Sequence, residues 1–249
     1  MTSSIVPSVF DRKHQAGLFI NRLYGCYGAG YVELRCLKRG KVHNEWYELE
    51  DSLLSPWGWI NPIVDQAIDL DDCGWDVYVG VLPRARQSGK AADVYCAGWV
   101  FADVDFHGEA EAPYRTLIER YTPDITVETG GGVHCYKTLS PINVVPVTDQ
   151  YGLRMTLERS PLRDLKGKKA AEYLGTLKRY AAVLHADKAA AEPARILRVP
   201  GTRNHKPERN GFWVTMTKCF RTPCWWLTKS VDDAEYERKL QSFEEAIRE

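Results

Sequence analysis

The 249-residue sequence lacks an excess of charge of either sign, because 33 Lys and Arg side chains balance 33 Asp and Glu side chains. It also lacks any apolar run that approaches the length of a membrane-spanning helix. The N-terminal residues MTSSIVPSVFDRKHQ do not contain the apolar core of a signal peptide. These absences predict a protein of the cytosol with no membrane partner, whereas the total charge favours no class of partner.

Cysteine pairs with metal-binding spacing are absent as well. The sequence has seven Cys residues and no C-x-x-C pair, which argues against a zinc knuckle. Cys219 and Cys224, with His205 upstream, would supply only half a metal site. The cysteines are therefore predicted to be reduced and mostly buried thiols.

The rest of the composition is ordinary, with 44% apolar and 27% charged residues, and the length suits one large domain or two small ones. The charges are unevenly distributed along the chain, however. Residues 45–76 carry nine acidic side chains and no Lys or Arg, whereas residues 163–209 carry twelve Lys and Arg against five Asp and Glu. The basic segment fits either a local polyanion site or a solvated helix face.

The spacing of apolar residues predicts a mixture of helices and strands. Helices are predicted over 11–24, 62–70, 109–121, 167–185 and 231–248. Strands are predicted over 30–37, 76–82, 96–106 and 211–220, with a β-hairpin over 125–139. The stretch SPWGWINP (55–62) predicts a loop, and residues 142–165 fit neither pattern. The order of elements favours an α+β fold, with a mixed or antiparallel sheet flanked by helices.

Two carboxylates project together from an otherwise apolar strand, VFADVDF (100–106). Side chains two apart in a strand point to the same face, so Asp103 and Asp105 are neighbours. Adjacent carboxylates repel each other, and burying them is costly unless a cation lies between them. Hard oxygen ligands suit Mg²⁺ or Mn²⁺. The pattern predicts a divalent-metal site or, alternatively, a strand that ends in a solvated acidic loop.

Three consecutive glycines, 130–132, form the turn of the predicted hairpin. Glycine allows backbone amides to be exposed and lets a ligand approach closely. His134, on the strand that leaves the turn, can contact a phosphate or act in acid–base chemistry. A triple glycine is more than most hairpins require, so this stretch favours a function over a plain turn with a packed histidine.

The stretch RILRVPGTRNHKP (195–207) concentrates basic residues around Pro200-Gly201, which predicts a turn. In an extended segment, Arg195 and Arg198 lie on opposite faces. Arg198 and Lys206 flank the turn, and basic side chains beside free amides suit phosphate oxygens. Upstream, Asp187 follows the predicted helix 167–185 and is a candidate third carboxylate.

In this order, the three stretches resemble the primase-polymerase branch of the archaeo-eukaryotic primase superfamily. The family pattern is D-x-D on an apolar strand, a Gly-rich turn followed by His, an acid, and then R-x-P-G-T-x-N-x-K. Here these are DVD (103–105), GGGVH (130–134), Asp187 and RVPGTRNHK (198–206). VYVGVLPRARQSGKAADV (77–94) also looks like the segment that leads into the family's D-x-D strand. The resemblance covers about residues 76–207, and its last motif is the most specific.

The resemblance implies one primase-polymerase catalytic domain over residues 1–230. Within it, residues 76–230 would form an RRM-like core with a mixed or antiparallel sheet, and residues 1–75 an N-terminal α/β extension. Residues 231–249 are expected to be a C-terminal helix that docks elsewhere or begins a segment of a longer protein.

The implied activity is template-dependent nucleotidyl transfer, in which the protein synthesises primers or extends DNA on a single-stranded template during replication of a phage, plasmid or similar element. Asp103, Asp105 and Asp187 would be the catalytic acids and bind two divalent ions, Mg²⁺ or Mn²⁺, with Glu192 as the alternative third acid. The partners would be template, primer and ribo- or deoxynucleoside triphosphates in a bacterial, archaeal or phage-infected cytosol. Because no G-x-x-x-x-G-K-[ST] loop occurs, any helicase would be a separate chain or segment.

The resemblance also implies which residues contact the nucleotide and the template. The expected nucleotide contacts are His134, Arg198, Lys206, Gly132, Thr129 and Asn204, of which the first three would neutralise the triphosphate. Weaker candidates for template contact are Arg84, Arg86, Lys90, Lys168 and Lys169. Gly132 stands where the family often has Ser, so a backbone amide or Thr129 would take over the role of that hydroxyl.

Two other functions fit the same residues. A catalytically inactive module that binds single-stranded nucleic acid would have the same basic face. A metal-dependent nuclease or replication initiator would also use the acids, but an initiator of the His-hydrophobe-His type needs two histidines two residues apart, and GGVHCY supplies one.

Overall fold

The computed structural model describes residues 7–25, 27, 29–49, 56–139, 142–149, 152–159, 162–163 and 165–219. Four α-helices lie in these ranges: α1 (Val9–Tyr24), α2 (Pro56–Asp72), α3 (Ala112–Tyr121) and α4 (Gly167–Val183). The first strands are β1 (Tyr31–Lys38), β2 (Lys41–Glu48), β3 (Asp76–Gly80), β4 (Cys96–Ala97), β5 (Trp99–Asp105), β6 (Ile125–Glu128) and β7 (Gly132–Thr138). The later strands are β8 (Ile142–Asp149), β9 (Gly152–Arg159), β10 (Leu162–Arg163), β11 (Ile196–Arg198), β12 (Arg203–Asn204), β13 (Phe212–Trp213) and β14 (Thr215–Cys219). The predicted α+β class is confirmed.

The first of two four-stranded antiparallel sheets has the strand order β11-β3-β1-β2. β1 and β2 form a hairpin whose turn residues, Arg39 and Gly40, both have positive φ, as the tightest right-twisted hairpins require. β11, from the basic stretch, pairs with β3 so that Arg198 lies opposite Tyr78. Strands from residues 31–48 therefore share one sheet with strands that carry candidate site residues.

The second four-stranded sheet, with the order β14-β6-β7-β5, is also antiparallel. The predicted hairpin 125–139 is confirmed as β6 and β7, and the strand that carries D-x-D, β5, pairs with β7. This register places Asp103 opposite His134 and Asp105 opposite Gly132. Residues 142–149 and 152–159, which fit no pattern in the sequence, form the separate hairpin β8-β9.

Helices cover the sheets and bury a continuous apolar core. α1 packs against α2, and α4 packs against β5, where the Tyr173 hydroxyl donates a 2.9 Å hydrogen bond to the Trp99 carbonyl. The prediction of a loop over 55–62 was wrong, because α2 begins at Pro56 and continues through Pro62. Its buried apolar side chains are Trp59, Ile60, Ile63, Val64, Ala67 and Ile68, a helical stripe that outweighs the local turn signals.

The predicted C-terminal helix over 231–248 lies outside the described residues. Among the helices that are described, none combines the length and apolarity needed to cross a membrane.

Candidate active site

A polar cavity is lined by strands of both four-stranded sheets. The first sheet contributes Tyr78 from β3 and the residues of β11, and the second contributes Asp103 and Asp105 from β5 and His134 from β7. The 3₁₀ turn that follows β12 and its flanking residue add Lys206 and Arg209. Three motifs that are separate in sequence therefore meet at one place.

The two carboxylates of D-x-D differ in their partners. Asp103 Oδ2 accepts a 3.0 Å hydrogen bond from Arg195 Nη2, and its Oδ1 lies 3.5 Å from His134 Nε2. Asp105 makes no ion pair with any described side chain. Burial, and then the charge of Asp103, raises the pKa of the Asp105 carboxyl, and nearby basic side chains only partly offset this. The pair therefore carries negative charge that the protein does not fully compensate.

This donor set fits a divalent cation, because an ion between the two carboxylates would remove their repulsion and match their hard oxygen ligands. Asp187, the expected third acid, is close through its backbone: its N–H donates to the Asp103 carbonyl at 3.2 Å. Its exposed carboxylate instead accepts the Ala189 N–H at 2.8 Å, and neither it nor exposed Glu192 lines the cavity. Within the described ranges, no three His, Cys, Asp or Glu side chains form a metal-binding group.

His134 is buried beside Asp103, with 4% of its surface exposed. Burial lowers its pKa to about 4; Asp103 opposes this shift, whereas Arg198 and Arg195 add to it. The imidazole is therefore neutral near pH 7 without a ligand, and it offers a hydrogen bond rather than the positive charge expected from the sequence. Its Nδ1 has no hydrogen-bond partner among the described groups.

At each position of the triple-glycine turn, an added Cβ would come too close to a neighbouring group. A Cβ at Gly130 would lie 2.5 Å from Phe212 Cγ, and one at Gly131 would lie 2.1 Å from Arg209 Cζ. Side chains of this chain thus lie close to the turn at both positions, although Gly130 is exposed and Gly131 lines the cavity. A Cβ at Gly132 would lie 2.0 Å from the Val104 carbonyl oxygen. The close approach of β5 and β7 therefore explains why Ser is absent from position 132.

Thr129 and Asn204 connect the glycine turn to the basic stretch. The Thr129 hydroxyl donates to the Gly132 carbonyl at 3.1 Å, inside the turn. Asn204 Nδ2 donates to the Thr129 carbonyl at 2.8 Å, and its Oδ1 accepts the Lys206 N–H at 3.3 Å. Both side chains line the cavity, and the contacts that the structure shows for them position neighbouring backbone.

Arg198 is buried, with one edge of its guanidinium already bound. Nη1 donates to Asp76 Oδ1 at 2.6 Å, and the guanidinium carbon lies 4.7 Å from the centre of the Tyr78 ring. Nη2 is buried and has no hydrogen-bond partner among the described atoms. An unpaired guanidinium edge on a residue that lines the cavity suits an anionic ligand.

Lys206 is exposed at the cavity, and its ammonium makes no ion pair with the described side chains. Its charge and that of Arg209 both act to lower the pKa of Asp105, against the larger effect of burial. Both cations therefore lie within electrostatic reach of the D-x-D carboxylates. Lys206 is therefore the cation of the basic stretch that is most available to an incoming anion.

Two further residues of the basic stretch, Arg203 and His205, contact carboxylates of the acidic segment seen in the sequence. Asp71 is fully buried and accepts hydrogen bonds from Arg12 Nη2 at 2.7 Å, Arg203 N at 2.7 Å and Arg203 Nε at 3.1 Å. His205 Nε2 lies 2.9 Å from the same carboxylate, and Asp72 contacts both Arg12 and Arg203. Internal pairing with the acidic segment thus accounts for Arg198 and Arg203 within the basic segment 163–209.

The expectation that Arg84 contacts template is corrected, because its side chain is completely buried and pairs with buried Glu33 at 3.1 Å. Arg86 is exposed and pairs with Asp93 at 2.6 Å. The other candidates, Lys90, Lys168 and Lys169, are exposed, and none of these lysines lines the cavity.

No role was predicted for Arg195 from the sequence, although its guanidinium donates a hydrogen bond to Asp103. The alternation of an extended segment predicted that Arg195 and Arg198 lie on opposite faces, yet both line the same cavity, and the hydrogen bond to Asp103 shows that Arg195 reaches β5. Tyr78 and Arg209 were also missed, because a tyrosine in a strand and an arginine after a turn are ordinary in sequence.

No protein-family model matches this chain, and no curated protein matches its sequence. Its structure is similar to the AEP domain of the cyanophage S-2L primase-polymerase, with a TM-score of 0.54 and 15% identity over 92% of this chain and 97% of that chain. Weaker similarities are found to primase RepB′ (TM-score 0.49, 16% identity, 95% and 65% of the chains). The catalytic domain of primase RepB′ in complex with initiator DNA has a TM-score of 0.47 at 16% identity, over 94% and 98% of the chains. The first similarity shows that this chain has the primase-polymerase fold that its motifs implied.

Proposed function

We propose that this protein is a template-dependent nucleotidyltransferase of the primase-polymerase type, which makes primers or extends DNA on single-stranded template. The observation that carries the proposal is the cavity in which the two D-x-D carboxylates meet His134, Arg198 and Lys206. The fold supports it, because the same fold is found in a primase-polymerase.

Asp103 and Asp105 are the residues that would hold Mg²⁺ or Mn²⁺. A divalent ion bound there would lower the pKa of an attacking 3′-hydroxyl and stabilise the leaving pyrophosphate. A second ion would require Asp187, whose carboxylate does not line the cavity and would have to turn toward it. We include Asp187 in the proposal on this condition.

The triphosphate is proposed to lie against the unpaired edge of Arg198 and the ammonium of Lys206, which would offset its negative charge. Neutral His134 would contribute a hydrogen bond from the floor of the cavity. Because Asn204 ties the Lys206 backbone to the glycine turn, these groups are held in place before a ligand arrives, which favours binding.

Single-stranded DNA template and primer are the proposed macromolecular partners, in replication of a phage, plasmid or similar element. Exposed Arg86, Lys90, Lys168 and Lys169 are the proposed template contacts, and a helicase would act from a separate chain or segment. Binding through such residues weakens as salt concentration rises.

Incorporation of labelled nucleotides on a single-stranded template, with Mg²⁺ or Mn²⁺ and with each nucleotide type supplied separately, tests the proposal. Asp103→Asn and Asp105→Asn should abolish incorporation while the protein stays folded in thermal melting, with a small loss of stability for Asp103→Asn from its Arg195 ion pair, whereas Asp69→Asn, which changes an exposed acid on α2, should retain full activity. Full activity in either D-x-D variant would refute the assignment. DNA binding by the wild type without incorporation would instead indicate an inactive binding module, and DNA cleavage without nucleotides would indicate a nuclease.

A further inference from the structure

Arg195 forms an ion pair with Asp103, one of the two carboxylates proposed to bind a divalent ion. A carboxylate needs free space beside its oxygens to bind such an ion. Arg195 Nη2 donates to Asp103 Oδ2 at 3.0 Å, and Arg195 lines the same cavity. The Asp103 side chain is 17% exposed and that of Arg195 is 30% exposed, so the pair is partly shielded from water. An ion pair at this depth is stronger than a fully exposed one.

The backbone that carries Arg195 is firmly held. The Arg195 carbonyl accepts the Val81 N–H at 3.0 Å, and its own N–H donates to the Glu192 carbonyl at 3.1 Å. The carbonyl of the preceding residue, Ala194, accepts a 2.9 Å hydrogen bond from the buried Arg84 guanidinium. A change of partner at Arg195 therefore requires movement of its side chain alone.

A divalent ion and the Arg195 guanidinium compete for the same carboxylate. Although a carboxylate oxygen can accept more than one contact, a guanidinium and a divalent ion on Asp103 Oδ2 would lie side by side, and the two cations repel each other. Asp105, which makes no ion pair with the described side chains, does not face this competition. Displacement would leave a guanidinium at the wall of the cavity that Arg198 also lines.

We infer that Arg195 is a displaceable counter-ion of Asp103: a divalent cation releases its guanidinium, which then pairs with a phosphate of the bound nucleotide. The inference rests on the proposed function, because it assumes that the cavity binds both ligands. It makes metal and nucleotide binding mutually favourable, since each ligand frees the group that the other needs. Arg195 would thereby discourage metal binding until a triphosphate is present.

Mn²⁺ binding to the protein without nucleotide gives the first test, with free Mn²⁺ measured by electron paramagnetic resonance. Arg195→Gln should bind Mn²⁺ about tenfold more tightly than the wild type, which corresponds to about 1.4 kcal/mol. Arg195→Lys keeps the charge and should show little of this gain. Arg195→Met serves in place of the Gln variant if that variant does not fold, as checked by thermal melting. Unchanged or weaker Mn²⁺ binding in the neutral variants would overturn the inference.

Binding of a non-hydrolysable nucleoside triphosphate at saturating Mn²⁺ gives the second test, and the expected effect has the opposite sign. Arg195→Gln should weaken this binding about tenfold. A residue with a merely structural role would not tighten one ligand and weaken the other. Unaltered triphosphate binding would overturn the second half of the inference.

Asp103→Asn separates this inference from the proposed function. If Asp103→Asn weakens Mn²⁺ binding while Arg195→Gln leaves it unchanged, the metal site stands and the counter-ion role of Arg195 fails. If Asp103→Asn leaves Mn²⁺ binding unchanged, the proposed metal site itself fails, and the inference fails with it.

Discussion

Asp76 allows a sharp test of how the wall of the cavity that carries Arg198, the proposed phosphate contact, is built. Its Oδ1 accepts hydrogen bonds from Arg198 Nη1 at 2.6 Å and from the His205 backbone N–H at 2.8 Å. One carboxylate oxygen thus fixes the side chain before the Pro-Gly turn and the backbone after it. Asp76→Ala removes both contacts and leaves the buried Arg198 charge without its partner.

The size of the effect follows from the burial of the pair. Breaking a buried ion pair by removing one partner costs about 3–5 kcal/mol of unfolding free energy. The Asp76 side chain is 17% exposed and Arg198 keeps its contact with the Tyr78 ring, so we expect the lower end, about 3 kcal/mol. Asp76→Asn keeps an acceptor for both N–H groups but loses the charge, and should cost about 1–2 kcal/mol.

Urea denaturation measures these losses, and tripolyphosphate adds an independent measurement. Because the unpaired guanidinium of Asp76→Ala gains a partner when phosphate binds, tripolyphosphate should raise the melting temperature of this variant more than that of the wild type. The rise in melting temperature of Asp76→Asn with tripolyphosphate should lie between that of Asp76→Ala and that of the wild type.

Two outcomes would contradict this reasoning. A loss below about 1 kcal/mol in Asp76→Ala would mean that the charge of Arg198 is satisfied by other groups. An equal response of Asp76→Ala and the wild type to tripolyphosphate would mean that Arg198 does not face the bound phosphates.

Three further variants test other parts of the site. Lys206→Ala should raise the KM for nucleotide about tenfold in steady-state incorporation assays, because it removes a charge-assisted contact of about 1.4 kcal/mol, and an unchanged KM would remove Lys206 from the triphosphate site. Gly132→Ala should lower the unfolding free energy by about 1–3 kcal/mol through a clash with the Val104 carbonyl, whereas Gly175→Ala on α4, where an added Cβ would lie 3.4 Å from the flexible Arg179 side chain, should be neutral or stabilising; equal effects in denaturation would contradict the packing argument. Arg84→Met should cost about 3–5 kcal/mol of unfolding free energy and leave the salt dependence of template binding unchanged, and a shallower salt dependence would restore Arg84 as a template contact.

Much of the fold could be predicted because several segments have local patterns that agree with their tertiary environment. The apolar stripe of α4, the alternation of β1 and the glycine turn between β6 and β7 each point to the structure that forms. The start of α2 could not be predicted in this way, since Pro56 and Pro62 signal a turn while the buried residues Trp59 and Ile63 pack as a helix. Burial of these apolar side chains against the rest of the protein outweighs the turn signals, so the segment is helical.

The candidate site was predictable where chemistry is concentrated in a short motif. Asp103, His134, Arg198 and Lys206 were chosen from sequence and line one cavity, although their roles stay predictions. Arg195 was not assigned, because its partner is 92 residues away in the chain and no local pattern encodes that distance.

The pairing of the acidic and basic segments also bears on how the site forms during folding. Asp71 contacts Arg203 across 132 residues, and Asp76 contacts Arg198 across 122 residues. Contacts of such long range close large loops and tend to form late. A fragment that begins at residue 76 would contain every motif named above, yet it would lack Asp71, Arg12 and the hairpin that completes the first sheet. The residues that line the cavity thus all lie after residue 76, whereas Asp71 and Asp72, which hold Arg203 beside them, come from the part of the chain that such a fragment lacks.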